Sequence, residues 1–221
     1  MHRRADLVRR FTWAERWMHR TTAALMGVCL ATAACLYLAP LAQLVGNRPL
    51  VVTVHVWCGL ALPVPLLLGL LSRAVRADVS RLSRFTPADW QWLRAVRTRA
   101  AHRPAGKFNA GQKLYAQWTL GSILVIVGTG LLMWLTHLTP PAWRTGATFV
   151  HDWLAAAIAV VVAGHVRMAW RDRESRLGMR TGLVERNWAE REHPQWPADE
   201  GEEPRPQRVA GDPEETVESR W

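Results

Sequence analysis

The sequence holds little of what marks catalysis or metal binding in a soluble enzyme. Its 221 residues include three cysteines, Cys29, Cys35 and Cys58. None stands in a CxxC or CxxCH arrangement, which excludes a zinc knuckle, a dithiol pair and covalently attached haem. There is no cysteine run of iron–sulfur spacing, no molybdenum-site pattern and no internal repeat. No small-residue cleavage pattern follows the first apolar stretch, so that stretch is expected to be a retained helix rather than a signal peptide. Acidic residues are missing from the apolar stretches apart from Asp152.

What the sequence has is apolar length. Mean hydropathy is near zero, but that average blends charged segments with four apolar stretches at roughly 21–39, 51–71, 114–136 and 148–170. About 20 residues at ~1.5 Å rise cross a ~30 Å hydrocarbon layer, so each stretch can span a bilayer. The net charge of +10 is equally uneven. Six Lys or Arg precede the first stretch, ten lie between residues 72 and 113, and ten follow Gly164, whereas the other two connections hold only Arg48 and Arg144. The positive-inside rule then makes both termini and the central loop cytoplasmic. The basic excess reads as topology, and nucleic acid is not an expected partner. The predicted fold class is all-α, an integral membrane four-helix bundle over residues 1–196 surrounded by lipid. From residue 197 to 221 the chain is proline-rich and acidic with little to bury, and is expected to be a disordered cytoplasmic tail. Within the central loop, FTPADWQWLRAVRTRA predicts a short helix at the membrane surface, with Thr86 as cap and Pro87 opening it; Trp90, Leu93 and Val96 fall near one face.

Two histidines bracket the last apolar stretch, in HDWLAAAIAVVVAGH. Fourteen positions at about 100° each end about 40° short of four turns, so His151 and His165 leave a helix on nearly one face, ~21 Å apart along it. Topology supplies each with a partner: His55 opens the second span at the outer side, and His19 the first span at the inner side. Two pairs at two depths result, His55 with His151 and His19 with His165. A b-type haem takes two axial imidazoles and fills the space between helices, and with both positions occupied it transfers electrons rather than binding dioxygen. A lone histidine near a helix end can instead snorkel, and a buried one can bond a carbonyl. Four at matched depths favour two haems, bound as metal centres through their iron. Gly27, Gly59 and Gly164 lie near these histidines, where small residues leave room between helices. His2, His102, His137 and His193 read as ordinary terminal, loop or interfacial residues.

The stretches WAERWMHR, HVWCG, KFNAGQK, FVHDWLAAA, GHVRMAW and GLVERNWAEREHPQW together resemble the gamma subunit of membrane-bound respiratory formate dehydrogenase, over about residues 8 to 196. The histidine pattern alone is shared with hydrogenase-type subunits and with free-standing two-haem cytochromes b; the NAGQK loop and the RNWAEREHPQW tail are more specific. The resemblance implies a bacterial inner-membrane electron-transfer subunit of a quinone-reducing complex, not the formate-oxidising chain. An iron–sulfur (beta) subunit, fed by a catalytic molybdenum or tungsten (alpha) subunit, passes electrons to an outer haem b on His55 and His151. They continue to an inner haem b on His19 and His165 and then to menaquinone, or ubiquinone, at the cytoplasmic side. Asn109, Gly111 and Gln112, with His165, then form the quinone site. That loop has suitable chemistry of its own, since a quinone gaining electron density needs hydrogen-bond donors. Asn109 serves equally well as the N-cap of the third span.

Overall fold

A computed structural model describes residues 6–100 and 103–196. The expected tail from residue 197 lies outside the described residues. In chain order the elements are β1 (Leu7–Arg9), α1 (Trp13–Tyr37), α2 (Ala39–Val45), α3 (Arg48–Ala61), α4 (Val64–Gly69), α5 (Arg73–Ser83), α6 (Pro87–Arg97), α7 (Ala110–Trp134), α8 (Pro141–Arg171), α9 (Arg173–Thr181), β2 (Leu183–Glu185) and α10 (Arg186–Glu192). Four segments are long and apolar enough to cross a membrane: α1, α3 with α4, α7 and α8. Their outward side chains are apolar, Leu67, Leu124 and Val160 being 61%, 62% and 74% exposed. Lipid tails suit such a surface and water does not. The chain is an integral membrane protein.

The helices begin before the apolar stretches do, because capping boxes start them. At α1, Thr12 N donates to Glu15 Oε2 at 2.6 Å and Glu15 N to Thr12 Oγ1 at 3.4 Å. At α7, Asn109 N donates to Gln112 Oε1 at 3.0 Å and Gln112 N to Asn109 Oδ1 at 2.9 Å. Each box satisfies two N–H groups that the first turn leaves unpaired, so a polar opening turn still folds as helix. The second span, expected as one stretch, is broken. Pro63 and Pro65 bring no N–H to the ladder, so α3 stops at Ala61 and α4 restarts at Val64.

Each of the four spans gives one buried side chain to a central layer: Met26 from α1, Leu62 from the break between α3 and α4, Ile123 from α7 and Ile158 from α8. At the end opposite the termini, Tyr37 Oη donates to Asp152 Oδ1 at 2.6 Å, tying α1 to α8.

The terminal end carries a cap that the all-α reading does not foresee. β1 and β2 pair antiparallel, Leu7 opposite Glu185 and Arg9 opposite Leu183. Arg10 N and Phe11 N then donate to Gly182 O at 2.8 and 3.1 Å. Gly182 has φ +90°, and a Cβ there would lie 2.4 Å from Phe11 O, so only glycine fits. Val8, Val184, Trp188 and Ala189 form the small core of this cap, with Trp196 against it. Arg10, 3% exposed, sits at its centre. Its Nη2 donates to Lys107 O at 3.0 Å and to His193 Nε2 at 2.9 Å, while His193 Nδ1 donates to Gly106 O at 2.6 Å. The guanidinium also faces Trp188, its carbon 4.7 Å from the ring centroid. Three segments far apart in sequence are thereby locked together. Burial, helped by the Arg10 charge, lowers the His193 imidazole to about 4. Burial likewise lowers Arg10 to about 10, against the charges of Asp172 and Asp78.

Candidate functional site

His19 on α1 and His165 on α8 face each other with ring centroids 6.3 Å apart. His55 on α3 and His151 on α8 do so at 6.2 Å. An imidazole nitrogen lies about 2 Å from a transition-metal ion, which sets the centroids of two trans imidazoles about 6 Å apart. Both pairs therefore fit one iron each. The structure brings together the same two couples of rings that the sequence reading grouped, at two depths of the bundle. His55, His151 and His165 are half-buried and His19 is exposed.

The hydroxyl groups next to the His55/His151 pair decide which ring nitrogen is available. Thr32 Oγ1 donates to Val28 O at 2.7 Å and lies 2.8 Å from His55 Nδ1. With its proton committed, that oxygen accepts from His55, so Nδ1 carries the hydrogen and the Nε2 lone pair is left for a metal. Thr129 repeats the device, donating to Val125 O at 2.8 Å and standing 3.0 Å from His151 Nδ1. Gly130 lets the ring lie close to α7, since a Cβ there would come within 3.3 Å of His151 Cε1. At Gly27, Gly59 and Gly164 an added Cβ would meet nothing within 4 Å. Flat, open backbone therefore flanks the histidines, as a macrocycle between helices requires.

The His19/His165 pair is built differently. Among the described residues neither ring has a hydrogen-bond partner. His165 instead stacks on Tyr115 of α7, with centroids 4.5 Å apart and planes 10° apart. The sequence reading passed over Tyr115, Thr32 and Thr129; the signal available for the two threonines is a hydroxyl inside an apolar span.

Between the two pairs lies the central layer, and its register is regular. Met26 follows His19 by seven residues, Leu62 follows His55 by seven, and Ile158 stands seven from both His151 and His165. Ile158 and Leu62 are 1% and 2% exposed, so the space between the pairs is closed by side chains and dry.

Residues 10–180 match the family described as prokaryotic cytochrome b561. The chain belongs to that family. Membership implies haem b, and the paired histidines are the residues here that fit it. Over 94 residues the chain is 30% identical to the cytochrome b556(Fdn) subunit of the nitrate-inducible formate dehydrogenase of Escherichia coli K12, covering 41% of this chain and 43% of that one. The match thus spans less than half the length of that relative. A formate dehydrogenase cytochrome b556 subunit from Haemophilus influenzae is 32% identical over 96 residues, 41% of this chain and 40% of the relative. The cytochrome b556(fdo) subunit of Escherichia coli K12 aligns over 205 residues at 23% identity, covering 88% and 93%.

In this cytochrome b561-family chain the loop before α7 has its own architecture. Asn109 and Gln112 form the capping box, so their amide oxygens are occupied as acceptors while Nδ2 and Nε2 remain donors. Gly111 is covered by Trp92 of α6, whose Cη2 would lie 3.2 Å from an added Cβ. The expected helix at 87–97 is present, yet it docks on α7 through Asp89 and Trp92 and leaves Trp90 59% exposed. Lys113 Nζ donates to Asp89 Oδ2 at 2.7 Å and to Arg84 O at 3.1 Å. Burial pushes the Asp89 carboxyl up, but the bonds from Lys113 and Thr86 outweigh it and hold it below its ordinary range.

Beneath the loop lies a buried ionic cluster that the sequence reading did not pick out. Lys107 Nζ donates to Glu15 Oε1 at 2.7 Å and to both Asp78 oxygens, at 2.8 and 2.7 Å. Burial, with the hydrogen bond to Glu15 next, pushes the Asp78 carboxyl up to about 7, against the pull of the Lys107 charge.

Proposed function

We propose that this chain is the membrane cytochrome b subunit of a formate dehydrogenase complex, carrying electrons from an iron–sulfur subunit to menaquinone or ubiquinone. The observation that carries the reading is the stacked pair of imidazole couples, at 6.2 and 6.3 Å, either side of a dry apolar layer. The names of the aligned relatives support membership of such a complex, and the basic segments at both termini and in the central loop support an orientation with His19 and His165 toward the cytoplasm.

His55 and His151 hold one haem b and His19 and His165 a second. Bound there, a haem supplies a reversible one-electron iron couple with no open position for dioxygen. Thr32 and Thr129 keep Nδ1 protonated in the outer pair, orienting both rings and making them stronger donors. Met26, Leu62, Ile123 and Ile158 exclude water between the pairs. At the cytoplasmic end Asn109 Nδ2 and Gln112 Nε2 donate to a quinone carbonyl, and His165, whose ring has no hydrogen-bond partner among the described residues, completes that site. Trp92 of α6 packs beside them, over Gly111. Reduction of one quinone takes two electrons and two protons. With electrons arriving from outside and protons taken from inside, each charge moved stores ~2.3 kcal/mol per 100 mV.

Haem analysis of the purified protein tests the reading. Two haems b per chain are expected, falling to one on replacing any of the four histidines. Full haem content in His151→Ala or His165→Ala would sink the pairing.

A further inference from the structure

Arg48 and Arg144 are the only Lys or Arg residues of the two short connections at the end opposite the termini, and those connections hold no Asp or Glu. Arg48 precedes His55 by seven residues, and Arg144 precedes His151 by seven. Both lie within their helices, α3 and α8, so each arginine leaves on nearly the same face as a histidine, two turns and ~10.5 Å further out. The surroundings repeat as well. Thr32 of α1 bonds His55, and three residues on, Cys35 lines a small cavity with Arg48, Leu36 and Val51. Thr129 of α7 bonds His151, and four residues on, Met133 lines an open cleft of about 320 Å³ with Arg144, Thr145 and Thr148. The arginines thus extend outward the two grooves, α1 with α3 and α7 with α8, whose histidines face each other. Neither guanidinium makes a hydrogen bond or ion pair among the described residues. The carboxylate next to His151, that of Asp152, bonds Tyr37 instead.

We propose that Arg48 and Arg144 bind the two propionate groups of the haem held by His55 and His151, one guanidinium from each side of the macrocycle. The inference rests on the two-haem reading above and deepens it. A haem b ends in two carboxylates, which cost free energy wherever they are buried without a partner. Toward the middle of the bundle Met26, Leu62, Ile123 and Ile158 close the space with apolar side chains, so the carboxylates of this haem find partners only on the outward side. There a guanidinium offers a bidentate, charge-assisted contact. The axial rings come from α3 and α8, so the arginines of those same helices approach from opposite faces of the macrocycle. Their positive charge offsets that of the carboxylates and favours the reduced iron, which carries one positive charge fewer. An acidic surface on the donor subunit is the other chemistry that two arginines could serve. The seven-residue register with the ligands, and the half-burial of Arg144 in its cleft, favour the haem.

The test is a redox titration of the intact complex that resolves the two haems, together with resonance Raman spectra of the propionate bending bands. Arg48→Gln and Arg144→Gln are each expected to lower the midpoint potential of the haem at His55 and His151. In the double variant the ratio of reduced to oxidised iron should fall about tenfold, or ~59 mV for one electron. The haem at His19 and His165 keeps its potential and reports an intact bundle. Arg144→Lys retains the charge but loses the planar fork, so it should hold the potential and still move the Raman bands. Unchanged propionate bands in the double variant would overturn the proposal, whether or not the potential moves. So would an unchanged potential with slower haem reduction by the donor, the outcome that a docking role produces. Wild-type protein with no haem at His55 and His151 would instead overturn the two-haem reading itself.

Discussion

The Tyr115 ring of α7 lies flat against His165 of α8, centroids 4.5 Å apart and planes 10° apart. Stacking of this kind is worth about 1 kcal/mol and fixes the plane of the imidazole. Tyr115→Phe keeps the ring and should leave the haem held by His165 unaltered. Tyr115→Leu should shift that haem's midpoint potential by at most about 40 mV, the ceiling set if all of that energy were specific to one oxidation state, and leave the other haem alone. A redox titration resolving the two haems checks this.

The threonines should tune only the other pair. The bond from His55 or His151 Nδ1–H to a hydroxyl pushes electron density toward the metal and favours the oxidised iron. Thr32→Val and Thr129→Val should each raise the midpoint potential of the haem that His55 and His151 would hold, with haem content unchanged. The same titration reads the result, and an unmoved outer potential contradicts the tautomer assignment.

Gly182→Ala should open the cap without dissolving the bundle. The new Cβ meets Phe11 O at 2.4 Å in a backbone held at φ +90°. A loss of about 2 kcal/mol or more in local stability is expected. Hydrogen exchange over residues 183–192 should accelerate while amides of α7 and α8 stay protected.

At the terminal end, His193 of the cap and Asp78 beneath the loop make pH-dependent contributions of opposed sign, while Glu15, lowered to about 2, acts in the same sense as His193 below pH 4.5. His193 is lowered from 6.5 to about 4, so the folded form prefers it neutral; its contribution is full above pH 6.5 and is lost as pH falls toward 4. Asp78 is raised from 3.8 to about 7, so the folded form prefers it protonated; its contribution is full below pH 3.8 and is lost as pH rises toward 7. Between these limits the two slopes offset each other. His193→Gln should leave a cap whose stability declines with rising pH, and Asp78→Asn one whose stability increases. Hydrogen exchange at several pH values, corrected for intrinsic rates, separates them.

Much of this was legible in the sequence because membrane spans are written in long runs. Four stretches, their alternation and the fourteen-residue spacing in α8 suffice to pair His55 with His151 and His19 with His165. The capping boxes are legible too, which is why Asn109 reads equally well as cap and as donor; the structure makes it a cap whose amide nitrogen has no partner among the described residues. The Pro63 break needed only more weight on two prolines inside a span. Other features left little trace. β1 and β2 have three residues each, too short for an alternation to register. The Arg10–His193 contact joins positions 183 apart, which no local pattern announces. Within α7 both the lipid side and the core side are apolar, so nothing in the periodicity singles out Tyr115. Lys107, Asp78 and Glu15 look like ordinary surface charges until the fold buries them.

The sevenfold register of α8 makes that helix a ruler. One residue inserted between His151 and Ile158 would swing everything below it by about 100° and advance it ~1.5 Å. His151 and His165 would then point to different neighbours, and no rearrangement of side chains alone would restore both. Drift in loop length is harmless to such a device, whereas a single codon gained or lost in this stretch severs the circuit.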